Sequence, residues 1–422
     1  MLINILRLML FAGLIFTSIP SAFSQTYNSP FTLYGLGETH QNHIARFQGM
    51  GGVNYGYRNG SSFTIANPAS YSALKYTAFE TGLRSRWAQV SLNENKFATA
   101  DASFGYLALA FPVSRKIPWS VALGLTPFSK KGYRLRYQFT EPFQKEEIFS
   151  GSGNYSKFFL GTSVEVIKNL SIGVNANYFF GNQTDTHTVA FQQDLDFYNL
   201  TRLSRTSIGD FVVDAGIQYT LPLKDGKQVV IGAIANLPTN LKTQKETVAF
   251  TYDTVRHQET LKYNTLLPFG GGLGITYSNK ELLSLGMDFY YRSWSDYKQE
   301  GQVYDTLQDR FEISLGGSFQ FSETGQATSD QPYWKRIPYR FGIKYVKPFI
   351  DVEGSEYHET AVSLGAGFRL KNQKGLPSQM LDISLEAGQI SNFESDALKE
   401  RYLLLHVGFS LNQSWFGQRK ID

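Results

Sequence analysis

The chain has 422 residues and no cysteine. That excludes disulfides, thiol catalysis and a lipid anchor carried on a cysteine. Histidine is scarce too: His40, His43, His187, His257, His358 and His406 are all there are. His40 and His43 are close in sequence, but no third histidine joins them at ligand spacing, so no metal site is expected. The Gly49–Gly52 run has no lysine and does not link a strand to a helix, which rules out a phosphate loop. Beyond the first two dozen residues no apolar run approaches the roughly twenty residues that a membrane helix needs. Mean hydropathy is −0.25. Net charge is only +4 and is spread along the chain, which points neither to nucleic acid nor to an acidic partner.

What is present is organised around one stretch. Residues 1–24 read as a secretory signal: Arg7 is the basic n-region, 8–19 the apolar h-region, and Ala22-Phe23-Ser24 the cleavage site. Next comes a glycine-rich stretch, 29–74, with Gly35, Gly37, Gly49, Gly51, Gly52, Gly56 and Gly60, closing on Asn67-Pro68-Ala69. Glycine at this density suits irregular backbone lying close to its surroundings. Residues 25–78 are therefore expected to form a plug, and 79–422 the wall of a transmembrane β-barrel.

The wall reading rests on period-two alternation. Leu170, Ile172, Val174, Ala176, Tyr178 and Phe180 oppose Ser171, Gly173, Asn175 and Asn177. Similar patterns recur at 282–297, 309–323 and 400–413. The expected strands are 79–92, 99–112, 119–128, 155–167, 170–183, 208–222, 228–242, 266–278, 282–297, 309–323, 337–350, 358–372, 379–390 and 400–413. Their number, fourteen, is even, as in bacterial single-chain barrels. Connections after the second, fourth, sixth and eighth strands are short, and those after the third, fifth, seventh and ninth are long. That is the pattern of periplasmic turns and outer loops. The connection 323–336 breaks it. The face carrying Arg84, Arg86, Ala88 and Val90 reads as neither clearly lipid nor lumen. Tyrosine (25) and phenylalanine (33) are abundant enough to supply aromatic girdles at the two interfaces.

If the apolar faces meet lipid, the lumen receives Glu165, Asp210, Asp214, Asp288, Arg292, Glu312, Arg340, Lys344, Arg369, Asp382 and Glu386. These are expected to pair with one another and with the plug, since an unpaired buried charge is costly. Gly270, Gly272, Gly274, Gly365 and Gly367 on the same face would let plug backbone lie against the wall.

The local pattern Ala45-Arg46, Gly49-Met50-Gly51-Gly52 and Asn67-Pro68-Ala69-Ser70-Tyr71 resembles the plug of the FadL-like outer-membrane transport family in its Bacteroidota form. The resemblance implies a barrel of about fourteen antiparallel strands in the bacterial outer membrane, closed by an N-terminal plug and free of cofactors. It also implies that hydrophobic molecules pass sideways through a gap made by an inward kink of the third strand. Here that strand contains Gly124-Leu125-Thr126-Pro127. Proline withholds a ladder donor and glycine marks close approach, so Gly124, Thr126 and Pro127 are candidates for the lateral opening, unless Pro127 merely ends the strand at the rim. In the following outer loop, Lys130, Lys131, Tyr133, Arg134, Arg136, Tyr137 and Phe139, with Phe143, Ile148 and Phe149 behind them, are candidates for admitting an amphipathic ligand or for meeting lipopolysaccharide. Barrel lipases set His and Ser two residues apart on one strand. No His-x-Ser occurs here, and His406 and Ser410 are about 13 Å apart along an extended strand. No enzyme is expected. Two functions remain open: passive uptake of fatty-acid-like compounds, or a barrel that binds partners or cargo of a secretion system, as in the PorV branch.

Overall fold

The computed structural model describes residues 29–40, 44–92, 95–114, 116–141, 144–191, 198–252, 254–280, 282–303, 306–322, 332–352, 355–370, 379–392 and 398–414. The expected signal segment lies outside the described residues.

A two-residue strand, β1 (Glu38–Thr39), precedes the wall. The wall runs β2 (Thr77–Leu92), β3 (Asn95–Ser114), β4 (Trp119–Phe139), β5 (Lys145–Ile167), β6 (Leu170–Phe191) and β7 (Leu200–Pro222). The next two wall strands are each broken in two: β8 (Lys227–Asn236) with β9 (Thr239–Thr251), then β10 (Thr254–Leu267) with β11 (Gly270–Asn279). After β12 (Leu283–Arg292) a small hairpin, β13 (Lys298–Gln299) and β14 (Gln302–Val303), turns aside. The wall resumes with β15 (Arg310–Phe319) and β16 (Tyr339–Lys347), passes the short β17 (Asp351–Val352), and ends with β18 (Ser355–Arg369), β19 (Met380–Asn392) and β20 (Leu398–Gln413). Every neighbour is antiparallel, and β20 pairs with β2 from Thr77↔Gln413 to Leu92↔Leu398, so the fourteen-stranded barrel is closed. Closure leaves no sheet edge in the hydrocarbon, which a spanning sheet requires.

Outward side chains form an apolar belt, with Leu160, Ile231, Leu273, Ile343 and Leu364 all exposed. Trp119, Tyr219, Phe319 and Trp334 mark its lower edge and Trp87, Tyr178, Phe211 and Phe289 its upper edge. These are the two interfacial girdles of a membrane barrel.

All fourteen expected strands are present, but the six that contain β4, β5, β6, β7, β9 and β10 extend further at the outer end than the sequence pattern suggests. β4 continues to Phe139, β5 begins at Lys145, and β6 and β7 extend to Phe191 and back to Leu200. The stretches read as long outer loops are therefore mostly β-hairpin. Together with β9 and β10 they form a six-stranded fin above the upper girdle. The uncertain face of β2 also resolves: Arg86, Ala88 and Val90 are buried inward. The inward set Ala78, Glu80, Gly82, Arg84, Arg86, Ala88 and Val90 keeps one phase through β2 and reads ambiguously because it mixes arginines with apolar residues. The extra residue Gly105 breaks the phase of β3 instead.

Candidate functional site

The interior is occupied by residues 29–40 and 44–76. Ala45–Gln48 make one helical turn, and Pro68–Ala73 a 3-10 turn. Asn67 starts the second turn. Its Oδ1 accepts the Ala69 N–H at 3.1 Å, and its Nδ2 donates to the carbonyls of Tyr55 (2.8 Å) and Ile217 (3.3 Å). One side chain thus caps a turn and ties it to the wall, while Pro68 supplies the preset φ of a first turn. Ala69 is fully buried, and its carbonyl accepts the Ser163 hydroxyl at 2.9 Å.

The Gly49–Gly52 run ends the helical turn. Gly51 (φ 67°) and Gly52 (φ 93°) lie in the left-handed region, where only glycine is unstrained. The same run presses backbone against wall backbone. A Cβ on Gly342 would lie 2.1 Å from the Gly51 nitrogen, and one on Gly316 would lie 2.1 Å from the Met50 oxygen. Gly173 meets the Pro68 backbone in the same way, Gly216 makes room for the Asn67 side chain, and Gly232 meets the Tyr55 carbonyl. Registered pairs Gly173↔Gly216, Gly232↔Gly274, Gly286↔Gly316, Gly316↔Gly342 and Gly82↔Gly408 continue this glycine belt around most of the wall. Of the lumen glycines singled out in the sequence, Gly272, Gly274 and Gly365 touch the interior segment at Tyr55 and Gly49.

The expected lumen charges are mostly paired. Asp382 holds Arg340 at 2.7 Å and Arg46 at 3.4 Å, and Arg46 also reaches Glu80 at 2.8 Å. Lys344 bridges Glu386 (3.0 Å) and Glu359 (3.3 Å). Lys157 faces Asp214 at 3.4 Å, and Arg58 faces Glu165 at 3.3 Å. Arg310 holds Glu312 at 2.8 Å, and the Asp288 carboxylate accepts the N–H groups of Asn54 (2.7 Å) and Tyr55 (2.9 Å). Arg292 is buried with its guanidinium 5.7 Å from the Trp294 ring, and Arg369 donates to Gln320. Asp210 is different: it spends its carboxylate on the backbone N–H groups of Phe211 and Lys242, at the break between β8 and β9. Arg46 stands in the sequence motif but not among the expected interior charges, and Glu38, Glu80 and Glu400 were not singled out. The alternation of β20 was the available signal, since Glu400, Tyr402 and Leu404 share its inner face and are all buried.

The third wall strand has a defect. The β3–β4 ladder runs only from Ser114↔Trp119 to Leu107↔Leu125. Gly124 is needed just below its end, because a Cβ there would meet the Leu107 carbonyl at 2.3 Å. Thr126 is buried, and at Pro127/Ser129 the register with β5 shifts. Pro127 does not end the strand. Above it β4 keeps β5 on one side but has lost β3 on the other, so the wall splits at the level of the upper girdle. The N-terminal segment fills the vacated edge. Glu38 and Thr39 pair with Lys130 and Ser129, His40 N–H donates to Phe128 O, and Ser29 N–H donates to Gly132 O. Lys130 ion-pairs with Asp101 across the split. Arg86 clasps Glu38 (3.1 Å) and Glu400 (2.6 Å), and Glu400 also accepts the Ser29 hydroxyl at 2.6 Å.

Above this seal the outer lumen is packed with the chain's own side chains. Phe31 and Leu36 sit in a cluster with Phe128, Tyr155, Phe179, Leu241, Trp294, Tyr297 and Phe349, all buried. Two cavities among the described residues lie within this zone, of about 60 and about 110 Å³, and both are lined by charged groups as well as apolar ones.

The remaining candidates stand on the fin. Lys131 pairs with Asp185 at 3.0 Å, Tyr133 donates to the same carboxylate at 2.7 Å, and Arg136 pairs with Glu146 at 2.8 Å. Arg134 is exposed on the opposite face from Tyr133. Tyr133, Leu135, Tyr137 and Phe139 share one face with Phe149, Val189, Phe191 and Leu200. This face continues the lumen side, since Gln183 on it donates to Leu36 O. Tyr137, Phe139 and Leu200 are 50%, 40% and 39% exposed. The other face carries Thr184, Thr186 and Thr188 with Ser150 and Ser152. Ile148 lies on this polar face, and Phe143 lies outside the described residues.

The fold is that of the FadL-type outer-membrane barrels. The toluene transporter TodX of Pseudomonas putida superposes with a TM-score of 0.59 at 15% identity, over 88% of this chain and 99% of that one. A FadL homologue from Pseudomonas aeruginosa gives 0.57 at 13% identity, over 89% and 98%. The toluene transporter TbuX of Ralstonia pickettii gives 0.57 at 12%, over 88% and 98%. No protein of curated function matches the sequence. One family model spans nearly its whole length, residues 4–422, and on that match the chain belongs to the BamG family.

Proposed function

We propose that this chain is a closed outer-membrane barrel that holds protein partners and does not conduct a solute. The filled interior carries this reading. The outer lumen, where an apolar compound would be received, is packed with buried Trp294, Tyr155, Phe179 and Leu241 around Phe31 and Leu36. Below it, glycine-to-backbone contacts leave the plug no slack. The fin supports the same reading from outside. Its inner face leaves Tyr137, Phe139 and Leu200 partly exposed beside the Lys145–Glu147–His187 cluster, it stands above the reach of lipid, and a mixed aromatic and charged patch suits protein contacts. The test is affinity purification of the full chain from cross-linked outer membranes, beside a Tyr137→Ser/Phe139→Ser variant. Specific partners lost in the variant are the expected result. A barrel that recovers no partner in either form, yet moves labelled fatty acid into liposomes, would overturn it.

The split between β3 and β4 favours a second reading, passive lateral uptake of hydrophobic or amphipathic compounds, the class of solute named for TodX and TbuX. On that reading the N-terminal segment is the gate. A Glu38→Cys/Lys130→Cys disulfide, clean in a chain without cysteine, would then abolish liposome uptake until reductant is added. Uptake indifferent to the disulfide, or absent throughout, removes this reading.

A further inference from the structure

One lumen cation stands without a counter-charge. Arg292, at the outer end of β12, is 5% exposed. Its guanidinium makes no ion pair or hydrogen bond among the described residues, and its Nε is buried without a partner. The rings of Trp294 and Phe128 lie 5.7 and 6.0 Å from it. A ring face attracts a cation, but it carries no net charge, and a cation taken out of water is costly unless it is paired. The neighbouring arginines show the usual answer: Arg46, Arg86, Arg310 and Arg340 each hold a carboxylate.

Arg292 lines the smaller cavity of the outer zone, about 60 Å³. Thr39 and His40 of the N-terminal segment, Tyr55 of the plug, and Lys157, Asp214 and Arg310 of the wall meet there. Lys157 is held by Asp214 at 3.4 Å and Arg310 by Glu312 at 2.8 Å, so Arg292 is the positive charge left over. His40 accepts an N–H of Arg84 on its Nδ1 at 2.7 Å, which leaves the ring neutral with its proton on Nε2. The orphaned polar atoms agree with the charge. Arg292 Nε, Arg310 Nε and Trp294 Nε1 are buried donors without an acceptor, whereas no side chain of the lining has a buried acceptor without a donor.

We infer that this cavity binds one small monovalent anion, a halide or a formate-sized carboxylate, which supplies the missing charge to Arg292. A single water needs about 10–15 Å³ of such space, so about 60 Å³ admits an ion of this size and excludes a fatty acid. Water fills such a space without answering the charge. The anion has a structural role, because it lies where the sealing segment, the plug and four wall strands come together. Arg310 already donates to Thr39 Oγ1 at 3.0 Å, and the anion adds a second tie between the seal and the wall. The inference is independent of whether the barrel holds partners or passes a solute.

The experiment uses the full chain in detergent, exchanged into gluconate buffer and returned to chloride or formate at constant ionic strength. The readout is the temperature at which heat-modifiable migration is lost. Chloride and formate are expected to raise it by several degrees over gluconate, since a ligand bound only by the folded state stabilises that state. Arg292→Met keeps the bulk without the charge, and is expected to respond to neither anion. Arg256→Gln, on the exposed edge of the fin, is expected to respond as the wild type does. Bromide soaked into crystals of the wild type is expected to give an anomalous peak beside Arg292, and that position alone decides the matter should Arg292→Met fail to fold. A wild type indifferent to both anions, a response kept in Arg292→Met, or no bromide at Arg292 overturns the assignment. So does stabilisation by decanoate and not by chloride that is lost in Arg292→Met, which would make the cavity a headgroup site for a transported ligand.

Discussion

The two sides of the barrel are built to different rules. On one side β12, β15 and β16 have 10, 10 and 9 residues. That is what a tilted strand needs to cross a bilayer. On the other side β4, β5, β6 and β7 have 21, 23, 22 and 23 residues. At about 3.3 Å per residue the difference is roughly 33 Å against 75 Å. Lipid fixes the short side. Nothing in the bilayer calls for the excess on the tall side, which must be useful in the water beyond. The packing follows the same division. The short side is locked to the plug through Gly286, Gly316 and Gly342, whereas the fin has a free edge at β10, where residues 254–264 pair only with β9 among the described residues. Charged side chains on that edge, Arg256, Glu259 and Lys262, guard it against indiscriminate pairing.

The comparison can be broken where it is strongest. Gly342→Leu on the short side should abolish folding, because the new side chain has no room beside Gly51; the readout is loss of heat-modifiable migration. A fin truncated between residues 134 and 147 should still yield a folded, heat-modifiable barrel. If both changes unfold the protein, the division between lipid-set and water-set strands is wrong. Glu400→Ala should cost about 1.5–3 kcal/mol, because buried Arg86 loses its 2.6 Å charged partner while keeping Glu38, measured as a fall in denaturant midpoint. Asn67→Ala should cost about 1–2 kcal/mol through the lost cap, seen as a lower Tm. Tyr137→Ser should change stability by less than about 0.5 kcal/mol, and its effect should appear only in partner recovery.

The same division explains what could be read in advance. Within the bilayer one face of each strand meets hydrocarbon and the other a polar lumen, so Leu170 to Phe180 alternates plainly. In the fin both faces meet water, and the contrast fades through Thr184, Thr186 and Thr188, so the period that marks a strand in the bilayer is lost there. Pro127 was visible as a potential defect, but proline has the same local chemistry at a strand end and at a bulge. Its role depended on β3 leaving and on Glu38 and Thr39 arriving from about ninety residues away. The plug motif was legible because a cap needs Asn before Pro, and a left-handed turn needs glycine at 51 and 52.

By itself, then, the sequence determined a fourteen-stranded membrane wall and an irregular glycine-rich head, because solvent contrast and φ preferences are written residue by residue. Only the tertiary structure decided that the head seals the split in the wall and which carboxylate answers which arginine. Each of those depends on strands distant in the chain being brought side by side, and no local pattern encodes which ones will meet.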